Sequence, residues 1–176
     1  MASASELRAD LVAGRERLLG AIASVSEQEF KRRPAEGGWS IAEVLAHLLA
    51  TERLWARRID LALAEEGARV EASDPTQHEE QARAGRVAPV PQLIHGLLAS
   101  QRELERLIDR AGREDAFERA LEHSRRGRIT VGWMLRNAVE HVGEHAAQVE
   151  ALRAAMEEPG AGNSPPPSPL PEGEGT

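Results

Sequence analysis

Apolar residues recur along this chain at intervals of three, four and seven, the spacing that lines one face of an α-helix, and no strand pattern stands out. Leu7, Leu11, Leu18, Ile22 and Val25 predict a first helix over residues 4–24. Ser26 followed by Glu29 caps a short turn, and Pro34, Gly37 and Gly38 then break the chain. Ser40 and Glu43 form a capping box, in which hydroxyl and carboxylate each satisfy a backbone N–H, and they open a second helix over 41–65. Its apolar stripe is Ile41, Leu45, Leu48, Trp55, Ile59 and Leu63. The stretch EEGARVEASDPTQ reads as an exposed connection, with a short helical turn at 78–84. From Pro91 a third helix carries Leu93, Leu97, Leu104, Leu107 and Ile108 to a stop at Gly112. Thr130 is an N-cap for a fourth helix over 131–157, patterned by Val131, Leu135, Val142, Val149, Leu152 and Met156.

Four amphipathic helices predict an all-α fold, a four-helix bundle over residues 1–158 in which apolar stripes bury against one another. From Pro159 onward the sequence is dominated by Pro, Gly, Ser and Glu, so residues 159–176 are expected to form a disordered tail. Aromatic residues make up only 3% of the chain, which leaves the core to Leu, Ile, Val and Ala and makes Trp39, Trp55 and Trp133 packing residues.

Charge and cysteine content narrow the chemistry. A formal charge of -7 disfavours a nucleic-acid partner. The strongest basic cluster, RRGR at 125–128, reads as a solvated loop. No long apolar run suggests a membrane span, and MASASELRAD carries no secretory pattern, so a cytoplasmic location is the expectation. There is no cysteine, so a metal would be held by nitrogen and oxygen, and any reactive thiol would come from outside.

The stretch HVGEH places His141 and His145 four apart on the fourth helix, on one face and able to address one ion. Spacing alone is weak support, since roughly one in six shuffled chains with six histidines would show it. Position adds to it: His145 falls about 40° and His141 about 80° from the middle of the apolar stripe. Imidazoles turned toward an apolar interior need a hydrogen bond or a metal. Catalytic zinc sites usually have three protein ligands, and the remaining histidines are His47, His78, His95 and His123. His78 and His123 fall in predicted connections and read as solvated, and His95 reads as a core or surface residue near the start of the third helix. His47 lies about 120° from its helix's apolar stripe, so periodicity does not select it.

GGWSIAEVLAHLLATE (37–52), followed by ITVGWMLRNAVEHVGEHAAQVEAL (129–152), resembles the DinB-like superfamily, which includes bacillithiol- and mycothiol-dependent enzymes. The resemblance implies a four-helix bundle with a divalent metal, zinc or nickel, held by His47, His141 and His145, with Gln148 following. It further implies a thiol S-transferase acting on a small-molecule substrate with an external low-molecular-weight thiol as cosubstrate, and a homodimer. Around the ligands, Thr51, Asn137, Glu144 and Gln148 are the expected outer partners of the imidazoles, although Glu144 reads more readily as a solvated charge. Glu52 falls near the middle of an apolar stripe, where it needs an arginine partner or a raised pKa; it is also the candidate general base. The competing expectation is a bundle without turnover, in which a metal only ties helices together or the domain binds a ligand or partner.

Overall fold

The computed structural model describes residues 3–34, 37–74 and 76–157. Four long helices, α1 (Ala4–Ile22), α3 (Ile41–Ala64), α5 (Val90–Arg113) and α6 (Val131–Glu157), form the predicted bundle. Their boundaries fall within two residues of those read from periodicity. Two shorter helices accompany them, α2 (Glu27–Lys31) and α4 (Thr76–Val87). Where one short turn at 78–84 was expected, α4 runs for 12 residues. The proline-rich tail lies outside the described residues.

Three capping boxes start α1, α2 and α3, with Ser3 and Glu6, Ser26 and Glu29, and Ser40 and Glu43 bonded reciprocally. The third is buried and does more than cap. Glu43 also accepts from Arg33 Nε at 2.9 Å and from Arg86 Nε at 2.6 Å, tying the α3 start to the preceding loop and to α4. Burial pushes the Glu43 pKa up, but the Ser40 and arginine contacts outweigh it and hold the carboxyl below its ordinary value.

Cross-helix contacts fix the directions. Arg17 meets Glu150 while Arg153 reaches the carbonyls of Gly20 and Ala21, so α1 and α6 run parallel. Leu49 packs on Gly96 and Asp60 pairs with Arg110, so α3 and α5 are also parallel. Trp55 against Trp133 and His47 against His141 make α3 and α6 antiparallel. Parallel neighbours demand a connection that returns along the bundle, and residues 65–89, including α4, supply it. At Gly85 the α4 backbone rests on α3 so closely that a Cβ would overlap the Ala42 carbonyl.

The expectation of no strands is corrected by a small sheet of order β1 (Arg69–Val70), β2 (Ala120–His123) and β3 (Gly127–Thr130). These strands are two to four residues long, too short to show alternation. Gly127, at φ 68°, takes the left-handed conformation that closes the β2–β3 loop. The core is aliphatic, with Leu11, Leu18, Leu45, Leu48, Leu97, Leu107, Val142 and Val149 fully enclosed. Among the described residues, no helix is long and apolar enough to cross a membrane.

Candidate metal centre

Helices α3 and α6 bring three imidazoles together. One ring nitrogen from each of His47, His141 and His145 lies within 4.8 Å of the other two. His141 and His145 share a face because they are four apart, and their Nε2 atoms face each other at 3.0 Å. Two nitrogens on one tetrahedral ion, each about 2.0–2.1 Å from it, would be about 3.3 Å apart. The pair therefore needs only a small opening to take one.

Gln148, one turn beyond His145, accepts a 2.7 Å hydrogen bond from His145 Nδ1. A carbonyl oxygen only accepts, so Nδ1 carries the proton and the Nε2 lone pair points at the cluster, the orientation of a ligating histidine. Burial drives the His47 pKa down to about 3 and the His141 pKa to about 2, with the neighbouring imidazoles adding to the drop. His145 is lowered as well, again by burial, with Gln148 opposing. All three rings are thus neutral near pH 7, the form that binds metal. His47 Nδ1 and His141 Nδ1 are buried without hydrogen-bond partners. Three convergent neutral imidazoles, in a site that leaves two of their ring nitrogens without hydrogen-bond partners, fit a divalent cation.

The other predicted residues are placed as follows. Thr51 is buried on α3 with its hydroxyl unpartnered, so it orients no imidazole here. Asn137 donates to the Trp133 carbonyl at 2.9 Å, as a polar side chain mid-helix commonly does, and not to a histidine. Glu144 is exposed on α6. Glu52 has the arginine partner that its place in an apolar stripe calls for: it is hydrogen-bonded to Arg15 across the core, both side chains being 1% exposed. Burial raises its pKa and Arg15 pulls the other way.

Beside the cluster lie Trp39, from the family motif, and two residues that periodicity does not single out, His78 and Gln81. His78 is half-buried on α4, not in a solvated connection, with its ring centroid 5.1 Å from that of His47. The Trp39 ring lies tilted against His47, with centroids 4.9 Å apart, and its indole N–H donates to Glu79 of α4. Gln81, one turn after His78, lies close enough to favour His47 protonation slightly, yet its Oε1 and His47 Nδ1 both lack a well-formed hydrogen bond. The sequence signal was the i, i+3 spacing of His78 and Gln81 on a helix whose length was underestimated. His123 is also corrected, being 7% exposed on β2, while His95 sits exposed on α5.

A DinB superfamily profile matches residues 10–149. The chain belongs to the DinB superfamily. Among solved structures it is similar to YfiT from Bacillus subtilis, described as a probable metal-dependent hydrolase with an unusual four-helix bundle topology, at a TM-score of 0.66 and 20% identity over 87% of each chain. It is also similar to a mycothiol-dependent maleylpyruvate isomerase, at a TM-score of 0.65 and 17% identity, covering 84% of this chain and 62% of that one. Another four-helix bundle protein matches at a TM-score of 0.60. At these identities the likeness is one of fold. No curated protein matches the chain.

Proposed function

We propose that this DinB-superfamily chain is a metal-dependent enzyme that activates an external low-molecular-weight thiol for transfer to a small electrophile. The observation that carries the reading is the convergence of His47, His141 and His145, with the His145 lone pair fixed by Gln148. Zinc or nickel suits three neutral nitrogens, and a divalent ion so held supplies Lewis acidity at an open position, lowering the pKa of a thiol or water there. The chain's own residues do the rest. Burial keeps the imidazoles neutral at working pH, and Gln148 prevents His145 from turning its protonated nitrogen inward. Trp39 and α4 wall one side of His47 against water.

In the transfer itself the thiol sulfur attacks an electrophilic carbon, the new C–S bond forms as the leaving group departs with its electron pair, and the thiol proton passes to solvent. With no cysteine in the chain, the sulfur must arrive with the cosubstrate. A net charge of -7 favours a small molecule over a nucleic acid as the partner.

One observation favours a second reading, a metal site without turnover. Imidazoles on one tetrahedral ion have centroids about 5 Å apart. The His47–His78 separation is 5.1 Å, and although the converging ring nitrogens are those of His47, His141 and His145 alone, a turn of the His78 ring toward them would bring a fourth nitrogen from α4 and close the site. Cobalt substitution separates the two: an open site changes its visible spectrum when a thiol is added, and a closed one does not. The enzyme reading is tested by following thiol consumption against a chloroarene with zinc- or nickel-loaded protein. Metal-dependent turnover lost in His141→Ala supports it; a fully loaded protein inert toward a broad panel of thiols and electrophiles contradicts it.

A further inference from the structure

The RRGR stretch is exposed, as its composition suggests, yet one of its arginines, Arg126, reaches the α3–α6 seam. Arg126 lies over the Trp133 ring at 5.5 Å and Arg58 over the Trp55 ring at 5.7 Å. The two indoles themselves meet edge to face at 5.7 Å. Arg58 is only 8% exposed, and its hydrogen bonds go to the Glu71 carbonyl at 2.8 Å and the Ser73 hydroxyl at 3.4 Å. Among the described residues, no carboxylate forms an ion pair with Arg57, Arg58, Arg125 or Arg126. In a chain with 29 acidic against 22 basic residues, that is a local departure. Two carboxylates act electrostatically on this group without an ion pair, Glu71 on His123 and Asp74 with Arg125.

His123 adds a neutral donor. It is 7% exposed, and its Nδ1 accepts from the backbone N–H groups of Arg125 at 3.2 Å and Arg126 at 3.3 Å. The ring proton therefore sits on Nε2. Burial together with Arg58, Arg126 and Arg125 disfavours a second proton.

A buried guanidinium without a counter-charge is costly, and a carboxylate or phosphate on a ligand relieves that cost through charge-assisted hydrogen bonds. We infer that Arg58, Arg126 and His123, with the Trp55–Trp133 pair, form a subsite for the carboxylate or phosphate group of a small molecule. Trp55 follows His47 by eight residues on α3 and Trp133 precedes His141 by eight on antiparallel α6. At 1.5 Å per residue the subsite lies about 12 Å along the seam from the histidines. Resting on the metal-centre reading, this makes the substrate or thiol an elongated anion, its reactive end at the histidines and its charged end at the arginines.

The test is a tryptophan-fluorescence titration of the full chain in a Trp39→Phe background, which removes the reporter beside His47. Sodium succinate and sodium phosphate are the probes, at ionic strength held constant with chloride, and metal content is measured in each sample. We expect a saturable change that weakens roughly tenfold or more in Arg126→Ala and in Arg58→Gln, and that persists in His47→Ala. The stronger of the two probes identifies the anionic group. Arg126 is exposed, so its variant remains informative if Arg58→Gln does not fold. An unsaturable response, equal responses in wild type and Arg126→Ala, or binding of an oligonucleotide but of neither probe would overturn the subsite. Anion binding without metal would leave the subsite standing and remove the metal reading; metal without anion binding would do the reverse.

Discussion

Replacing Glu52 alone should be far more damaging than replacing Glu52 and Arg15 together. Both side chains are 1% exposed, and Arg15 Nε and Nη1 and Glu52 Oε2 already lack hydrogen-bond partners. In Glu52→Leu the guanidinium keeps its burial and loses the carboxylate it pairs with, a change that costs about 3–5 kcal/mol. For a domain of this size that corresponds to a fall in Tm of roughly 6–20 °C. The double variant Arg15→Met, Glu52→Leu removes both charges and fills their volume with apolar atoms, so its stability should lie within about 1 kcal/mol of wild type or above it. Urea unfolding of the metal-free protein, read as a double-mutant cycle, measures the coupling. The same double variant should bind metal as wild type does, because Glu52 belongs to the core and not to the histidine cluster. A single-variant loss below about 1 kcal/mol, or loss of metal in the stable double variant, would refute this reasoning.

Acid should destabilise the metal-free protein through its histidines. His47 and His141 have folded-state pKa values of about 3 and about 2 against an ordinary 6.5, so below pH 6.5 the unfolded chain takes up protons that the folded one refuses. Stability is unaffected by these groups above pH 7 and at pH 5 has fallen by about 2 kcal/mol for each; urea midpoints at the two pH values, compared with His47→Gln, check this. Gln148→Leu frees the His145 tautomer and should weaken zinc binding about 10- to 100-fold in a chelator competition while leaving the metal-free Tm nearly unchanged. Gly85→Ala drives a Cβ into the Ala42 carbonyl and should cost about 1–3 kcal/mol, with faster proteolysis within 76–87 as α4 lifts from α3.

The four long helices were legible because each carries an uninterrupted apolar stripe and a strong boundary signal, such as Ser40 with Glu43 before α3 and Thr130 before α6. Helix α4 was underestimated because it buries little besides Ala82 and Gly85; it is held by Arg86 on Glu43 and by Glu79 accepting from the Trp39 indole. Such docking leaves no hydrophobic period to read. The histidine pair on α6 followed from four-residue spacing. His47 did not follow from periodicity, because the stripe of α3 faces the bundle interior whereas His47 faces the seam covered by α4. It entered through the family motif, and the structure then supplied the geometry. His78, Gln81 and the arginine cluster depend on contacts between elements distant in sequence, which spacing within one element does not encode.

The central claim is that His47, His141 and His145 hold a divalent metal. The measurement that tests it most directly is the metal content of purified, untagged protein by inductively coupled plasma mass spectrometry, beside a His47→Ala, His141→Ala, His145→Ala variant shown to be folded. About one zinc or nickel ion per chain is expected in the first and none in the second. A folded wild-type protein that stays metal-free after incubation with both ions, or a triple variant that retains as much metal as wild type, would contradict it.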